Sequence, residues 1–310
     1  MVDPSTNVVA GIIGNIISVV GIVIINKYIT EKDGYNFMVF MSGLHFGFTY
    51  FALKVMAYYG YLKVPTSSRM ATLPVAIGSL LSVAFMNLNL SHNSVGFYQL
   101  SKLACIPFTL LVQYIENRQT IPTKILLTLF PILFGVGYAT VYDVSVNLYG
   151  TIIATLAVIA TSVSQILTNK FQNHRKGEEE EKLDPLQLLY QTSPITAIGM
   201  IVMCPFFDDM NALANYNYRV PCMSRIIITC CLALGVNITN YSVLGSTSPL
   251  TYQVLGHMKT ILIIILGFLV FAKPIDMRNL IGIIIAMVGV IAYTELKRQD
   301  SIKQKDSLPK

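Results

Sequence analysis

Two lysines lie deep inside long apolar segments of the sequence. Lys102 is in segment 95–115 and Lys259 is in segment 249–271, and neither segment contains an Asp or a Glu. A lysine at the centre of a membrane helix costs about 2.5–3.5 kcal/mol on insertion scales, so two cost roughly 5–7 kcal/mol. At 1.5 Å per residue, they lie roughly 12 Å and 15 Å from the ends of their segments, near mid-membrane. The pair favours an anionic ligand that supplies the countercharge, and snorkelling or pairing with backbone carbonyls is the alternative.

Aromatic and polar side chains accompany both lysines at helical spacing. Tyr98 lies one turn before Lys102, with Gln99 beside it. The residues on the two helix faces around Lys259 are Tyr252, Gln253, Gly256, His257 and Thr260. Tyrosines can stack on a base, amides can recognise base or sugar edges, and lysines can bind phosphates. A glycine lets a ligand approach the backbone. These residue types predict a site for a phosphorylated ligand.

Five further polar residues in apolar segments are weaker candidates for ligand contacts. They are Tyr190 and Gln191 in one segment and Asn237, Asn240 and Tyr241 in another. Interhelical hydrogen bonds explain such residues equally well, so both interpretations stay open here. The histidines and cysteines do not have the spacing of a metal site, and we expect neither a metal nor a cofactor.

The composition indicates the kind of protein in which these segments lie. Of 310 residues, 54% are hydrophobic and 12% are charged, whereas a soluble domain carries about 25% charged residues. Too little polar surface is left to cover a water-exposed globule. This excludes a soluble enzyme, a disordered protein and a nucleic-acid-binding protein. The net charge of +6 is typical of membrane proteins, whose cytosolic loops are rich in lysine. The expected surroundings of the chain are therefore the lipid bilayer.

Ten apolar segments are long enough to cross a bilayer, which takes about 20 residues per helix. They are 8–26, 36–59, 72–90, 95–115, 123–141, 148–168, 186–206, 224–244, 249–271 and 278–295. The predicted fold is therefore an all-α integral membrane protein with ten transmembrane helices.

The charges of the loops predict the orientation of the chain. Of the 22 Lys and Arg residues, 14 fall in the C-terminal tail and the loops of one side, and six fall in the loops of the other. The positive-inside rule then places both termini in the cytosol. The charged loop 170–185 is predicted to be cytosolic. It separates residues 1–169 (helices 1–5 and helix 6) from residues 186–295 (helices 7–10), and residues 296–310 form a basic cytosolic tail.

A weak internal match relates the two halves of the chain. At an offset of 154 residues, the Tyr-Gln of 98–99 aligns with that of 252–253, and the Gly-Val of 135–136 aligns with that of 289–290. The match pairs helix four with nine and helix five with ten. Because each half then has five spans, the second is inverted, as in secondary carriers whose substrate sites lie near the midplane. We therefore predict two inverted five-helix repeats, with chance similarity between apolar segments as the alternative.

Three segments resemble motifs of the nucleotide-sugar and triose-phosphate translocator family, within the drug/metabolite transporter superfamily. Residues 247–260 (Thr-Ser-Pro-Leu-Thr-Tyr-Gln-Val-Leu-Gly-His-Met-Lys-Thr) resemble its ninth-helix signature. The closing Lys259-Thr260 resembles the mark of the KT branch, which includes carriers of UDP-xylose, UDP-galactose and UDP-rhamnose. Residues 97–103 resemble the fourth-helix motif of that branch, and residues 188–194 resemble the start of its seventh helix. The sequence lacks the Gly-Ala-Leu-Asn-Lys signature of GDP-mannose carriers and the Lys-Arg dipeptide of plastid phosphate translocators.

The resemblance implies a ten-helix fold, residence in the Golgi apparatus or the ER, and antiport of a nucleotide-sugar against a nucleoside monophosphate. We expect a cytosolic UDP-sugar to be exchanged for lumenal UMP by alternating access. The alternatives are an organic-phosphate antiporter, of the triose phosphate or phosphoenolpyruvate type, and a non-transporting membrane protein. An enzyme is not expected, because the apolar segments contain no paired carboxylates and no nucleophile motif. A monomer and a homodimer both stay open.

Overall fold

A computed structural model describes residues 4–66, 69–93, 95–117, 122–140, 148–173, 183–271 and 277–306 of the protein. These ranges contain eleven α-helices. Their bounds are α1 Pro4–Asp33, α2 Met38–Tyr58, α3 Leu73–His92, α4 Val95–Asn117, α5 Thr123–Thr140, α6 Leu148–Gln172, α7 Pro185–Phe207, α8 Met210–Ala214, α9 Val220–Ser246, α10 Pro249–Phe271 and α11 Met277–Asp306. Each predicted span overlaps one long helix, and the ninth and tenth predicted spans correspond to α10 and α11.

Most of the long helices have the length and the apolar character that a membrane crossing requires. Within the described ranges, six helices meet both conditions, namely α1 from Val9 onward, α2, α3, α6, α7 and α9. Shorter apolar stretches lie in α4, α5 and α11, at Leu100–Ile115, Thr123–Tyr138 and Leu280–Leu296. The described residues form no strand. An all-helical integral membrane protein is therefore confirmed, while ten crossings and an inverted repeat stay predictions.

Two helices run well beyond the apolar segments that predict them. α1 continues from the predicted end at residue 26 to Asp33, and α11 continues from residue 295 to Asp306. Neither extension contains a Gly or a Pro, so nothing interrupts the backbone hydrogen bonds where the apolar residues stop. α1 ends just before Gly34, whose φ of +69° is the left-handed conformation of a helix C-cap. Hydropathy indicates the extent of the membrane segment, whereas the glycine fixes the end of the helix.

The short helix α8 lies outside every predicted span. The Asp209 carboxylate accepts hydrogen bonds from the N–H groups of Asn211 and Ala212, both at 3.0 Å. This N-cap fixes the first turn of a five-residue helix. A single turn is too short for an apolar periodicity to reveal it in the sequence.

The contacts divide the chain into two compact units. Unit 1 contains Met1–His92 and Ile152–Tyr252, and unit 2 contains Asn93–Thr151 and Gln253–Lys310. Each unit contains parts of both predicted halves of the chain, and the boundaries fall after α3, within α6 and within α10. Residues 174–182 of the predicted charged loop lie outside the described residues. The predicted division into repeats, loop and tail stays a prediction.

In unit 1, α2 packs on α7 and α9, α1 packs on α9, and α3 packs on α7. Leu53, Leu188 and Tyr241 belong to a buried apolar cluster that joins α2, α7 and α9. The Asp208 carboxylate accepts a hydrogen bond from the Phe40 N–H at 2.7 Å. The residue that follows α7 therefore caps the start of α2, which fixes the two helices relative to each other.

In unit 2, α5 packs on α11 and α4 packs on α5. α5 and α11 approach closely at two glycines. A Cβ on Gly135 would lie 2.6 Å from the carbonyl oxygen of Gly282, and a Cβ on Gly289 would lie 2.8 Å from the backbone nitrogen of Ile132. Neither position has room for a side chain, so the glycines allow the two backbones to touch. The 154-residue offset aligns Gly135 with Gly289. Gly135 of α5 contacts the backbone of α11, and Gly289 of α11 contacts the backbone of α5.

Candidate functional site

Unit 2 contains both of the lysines on which the predicted site depends. Lys102 lies in α4 and Lys259 lies in α10, and their ammonium groups are close enough for electrostatic repulsion. Lys259 is only 7% exposed, whereas Lys102 is half-buried. His257 is buried and lies within electrostatic range of Lys102. The structure therefore brings together cationic and polar groups that are far apart in the sequence.

The acidic side chain that the structure describes in unit 2 is bonded within its own helix. That side chain is Glu295, which accepts hydrogen bonds from Arg298 at 2.8 Å and 2.9 Å near the end of α11. The Lys102 ammonium lies 5.4 Å from the centre of the Tyr98 ring, which is a cation–π contact. Tyr98 thus holds Lys102 without neutralising its charge. This arrangement can bind an anion.

The remaining unit 2 candidates differ in how their polar groups are used. The buried Gln253 donates a hydrogen bond from Nε2 to Thr109 Oγ1 at 2.6 Å, which ties α10 to α4. Thr260 donates its hydroxyl to the carbonyl of Gly256 at 3.2 Å, within the helix. Gly256 itself leaves open space, because an added Cβ would meet nothing within 4 Å. The side chain of Gln99 lies outside the described residues.

The candidates of α9 form hydrogen bonds to other helices of unit 1. Asn237 donates to Thr49 Oγ1 of α2 at 3.0 Å. The side-chain oxygen of Asn240 accepts from Asn15 of α1 and from Tyr252 of α10, both at 2.7 Å. The contacts of these residues agree with the alternative that they are interhelical hydrogen-bonding groups.

Two neighbouring candidates, Tyr241 of α9 and Gln191 of α7, are buried in the same unit. The hydroxyl of Tyr241 lies 3.0 Å from Thr192 Oγ1, so it joins α9 to α7. Gln191 is 2% exposed and follows Tyr190 on α7. Both residues are therefore buried within unit 1, on helices that pack on each other.

Tyr190 belongs to a cluster that sequence reasoning did not find. The Tyr190 and Tyr50 rings lie 5.5 Å apart, and the guanidinium carbon of Arg69 is 5.8 Å from the centre of each. Arg69 also donates a hydrogen bond to the Tyr50 hydroxyl at 3.3 Å. Arg69 lies between two spans, and its partners lie 19 and 121 positions away. No local spacing could have revealed the contact.

Comparison with known proteins gives the family to which this arrangement belongs. Residues 15–294 match the Triose-phosphate Transporter family. The chain is 36% identical to UDP-xylose transporter 3 of Arabidopsis thaliana over 283 residues, which is 90% of this chain and 78% of that relative. It is 33% identical to UDP-rhamnose/UDP-galactose transporter 1 of the same plant over 297 residues, covering 93% and 84% of the two chains.

A solved structure supports the fold alone. A crystal structure of another protein covers 92% of this chain and 98% of its own, with a TM-score of 0.72 at 11% sequence identity. The relatives and the family are transporters, which confirms a transporter rather than an enzyme. The match over residues 15–294, together with these relatives, shows that the chain belongs to the Triose-phosphate Transporter family.

Proposed function

We propose that this protein is a nucleotide-sugar antiporter that exchanges a cytosolic UDP-sugar for lumenal UMP. Its relatives include proteins named as UDP-xylose and UDP-rhamnose/UDP-galactose transporters, which supports nucleotide-sugar transport. The observation that carries the site is the proximity of Lys102 and Lys259 in unit 2. Gly256, one turn before Lys259, leaves open space for a ligand beside α10.

The charge of the proposed substrates matches that of the two lysines. A UDP-sugar carries two ionised phosphates and hence a charge of −2. UMP carries about −1.5 to −2 near pH 7, because its second phosphate pKa is about 6. Either ligand would nearly neutralise Lys102 and Lys259. Exchange of one for the other would therefore move little net charge across the membrane.

The same charge matching would make exchange obligatory. Without an anion, the like charges of Lys102 and Lys259 repel each other in the desolvated interior of unit 2, where each charge is costly. A bound anion lowers the free energy of every state in which the lysines are desolvated, including those between the two open conformations. The carrier would therefore reorient readily only when it is loaded. We propose that reorientation proceeds by rocking of the inverted repeats, as in other secondary carriers.

The other candidates would recognise the rest of the nucleotide. Stacking on the uracil is proposed for the rings of Tyr98 and Tyr252, since base–aromatic stacking contributes about 1–3 kcal/mol per base. Polar contacts to the sugar or base are proposed for Gln99, Gln253, His257 and Thr260. The residues of unit 1 that already bond between helices, such as Asn240, are proposed to hold the helices of that unit together.

Uptake into proteoliposomes tests the proposal. Vesicles preloaded with UMP would be offered labelled UDP-xylose, UDP-galactose, UDP-rhamnose, GDP-mannose, triose phosphate and phosphoenolpyruvate. We expect uptake of a UDP-sugar that requires internal UMP and falls at least about 100-fold in Lys102→Ala and Lys259→Ala. Lys63→Ala is the matched control, because this exposed lysine lies outside the helices.

The alternatives make different predictions in the same assay. Uptake of triose phosphate or phosphoenolpyruvate alone, without competition by UMP, would favour an organic-phosphate antiporter. A folded protein that exchanges none of these compounds would favour a non-transporting membrane protein. The Golgi or ER location is tested separately, by microscopy of a fluorescent fusion with compartment markers.

A further inference from the structure

A polar cavity of about 350 Å³ lies in unit 1, where α1 ends and α9 begins. Its charged lining consists of Lys32 and Asp33 from α1, Arg219 before α9 and Arg225 within it. Tyr216 and Asn217 complete the polar wall. The volume falls in the range of small-molecule sites, about 300–1,000 Å³, and exceeds that of a single phosphate group. None of these residues belongs to the proposed transport site.

The charges of the cavity leave a positive excess. Asp33 is engaged by Arg225, whose Nε donates to its carboxylate at 2.8 Å, so these two charges cancel. The nearby Glu31 pairs with Lys27 one turn earlier, at 3.7 Å. Among the residues that the structure describes, Lys32 and Arg219 have no acidic partner. Two cations therefore face one cavity without a protein countercharge.

Tyr216 adds no negative charge to the wall. Burial and the neighbouring Cys222 raise the pKa of Tyr216 to about 12, so the phenol stays protonated near neutral pH. Its hydroxyl donates to the backbone carbonyl of Asp33 at 2.7 Å, which holds the loop before α9 against the end of α1. The cavity is thus a preformed feature of two helix ends.

The predicted spans place the charged residues of the cavity just outside the apolar segments, near the polar zone of a bilayer. Lys32 lies six residues beyond the predicted first span and Arg219 five residues before the eighth, which is about 8–9 Å outside the apolar segments. The polar zone of a bilayer adds roughly 5–8 Å on each side of the hydrocarbon. Beside the cavity, Val220 (80% exposed), Met223 and Ile227 present an apolar face of α9.

Half of the basic residues on the predicted lumenal side line this one cavity. The side predicted to be lumenal holds only six Lys and Arg residues in its loops, and three of them line this cavity. The positive-inside rule predicts few cations on this side. Their convergence indicates a site rather than a general surface charge.

We propose that Lys32 and Arg219 bind the phosphate group of an anionic ligand in this cavity. The phosphate monoester could come from a lipid headgroup in the adjacent leaflet or from a free nucleoside monophosphate. Arg219 would supply paired N–H donors to the phosphate oxygens and Lys32 a point charge. This inference does not depend on the proposed transport function, because it involves neither Lys102 nor Lys259.

Thermal unfolding of the purified full-length protein in detergent, measured with and without ligand, distinguishes a lipid phosphate from a free nucleotide. One arm adds phosphatidic acid, with phosphatidylcholine as the neutral control. The other adds UMP, with uridine as the neutral control, in a Lys102→Ala/Lys259→Ala background that removes the proposed transport site. Both arms are repeated with Lys32→Gln/Arg219→Gln. The matched control is Lys63→Gln/Lys124→Gln, which removes the same charge from exposed lysines elsewhere.

We expect phosphatidic acid to raise the unfolding midpoint, with an apparent affinity at least about tenfold weaker in Lys32→Gln/Arg219→Gln and unchanged in the control. The same dependence for UMP would support the free nucleotide as the source. The proposal is overturned if neither phosphate ligand stabilises the protein more than its neutral counterpart. It is equally overturned if the two double variants weaken binding alike, since that result would mean a general effect of charge.

Discussion

Tyr252 donates a hydrogen bond to the side-chain oxygen of Asn240 across 2.7 Å, and the same oxygen accepts a second bond from Asn15. Two residues that the sequence offers as ligand contacts are therefore bonded to each other. The hydroxyl of Tyr252 is occupied by the protein, so only its ring is available to a ligand. The ring and the hydroxyl can be tested separately, because Tyr252→Phe keeps the ring and removes the hydroxyl.

Tyr252→Phe should have a small effect on both stability and transport. Asn240 keeps its bond to Asn15, so we expect a loss of about 1 kcal/mol in the free energy of unfolding and a KM for the UDP-sugar within about twofold of the wild type. Tyr252→Ala also removes the ring and should raise KM at least about tenfold, because stacking on a base contributes about 1–3 kcal/mol. Thermal unfolding and concentration-dependent uptake measure the two effects. Unchanged KM in Tyr252→Ala would assign this residue a purely interhelical role.

The glycine contact between α5 and α11 predicts that alanine substitutions at Gly135 and Gly137 differ sharply in their effect on stability. Gly135→Ala places a methyl group against the backbone of α11 and should destabilise the protein by about 1–3 kcal/mol, the usual cost of overpacking. Gly137→Ala is the control two residues away, because its added Cβ would lie 3.4 Å from the flexible end of Leu103. Thermal unfolding of both variants in the same detergent makes the comparison. Equal stability of the two would contradict the close approach of these helices.

The sequence predicted the helices well because apolar length is a local property. The overlap of each predicted span with one long helix follows from the requirement for about 20 apolar residues per crossing. Helix ends were predicted poorly where they depend on other causes. α1 passes its apolar segment and stops at Gly34, and α8 depends on the Asp209 cap. Neither cause changes the hydropathy of the chain.

The sequence predicted only those residues of interest that are locally unusual. Lys102 and Lys259 stand out in any apolar segment because buried charge is costly, and the structure places them in one unit. Arg69 carries no such signal, since a charged residue between two spans is expected. Its contacts with Tyr50 and Tyr190 arise from the folding of separate helices. Sequence identifies a residue that is unusual at its position, whereas tertiary contacts decide which ordinary residues, such as Arg69, form a cluster with others.

Arg69 is expected to assist capture of the nucleotide from the predicted cytosolic side. Its guanidinium lies beside two tyrosine rings at an exposed position, so Arg69→Gln should cost no more than about 1 kcal/mol of stability. We expect KM for the UDP-sugar to rise about threefold to tenfold at low salt, and the difference from the wild type to shrink as salt screens the charge. Lys63→Gln, in the same interhelical segment, should leave KM unchanged. Equal effects of the two substitutions at every salt concentration would indicate general surface charge instead.

Because there is open space at Gly256, a substitution there can affect ligand binding without disturbing the folded protein. An added Cβ would meet nothing within 4 Å, and alanine favours a helix over glycine by about 1 kcal/mol, so Gly256→Ala should fold with equal or greater stability. If a nucleotide occupies that space beside Lys259, the methyl group would meet it, and we expect UMP binding to weaken about threefold or more. Gly47→Ala in α2 is the matched control, since an added Cβ there also meets nothing within 4 Å. Isothermal titration with UMP and thermal unfolding of both variants test the pair. Should Gly256→Ala bind UMP as tightly as Gly47→Ala does, the ligand does not approach this face of α10, and the site would have to lie on the Lys102 side of the two lysines.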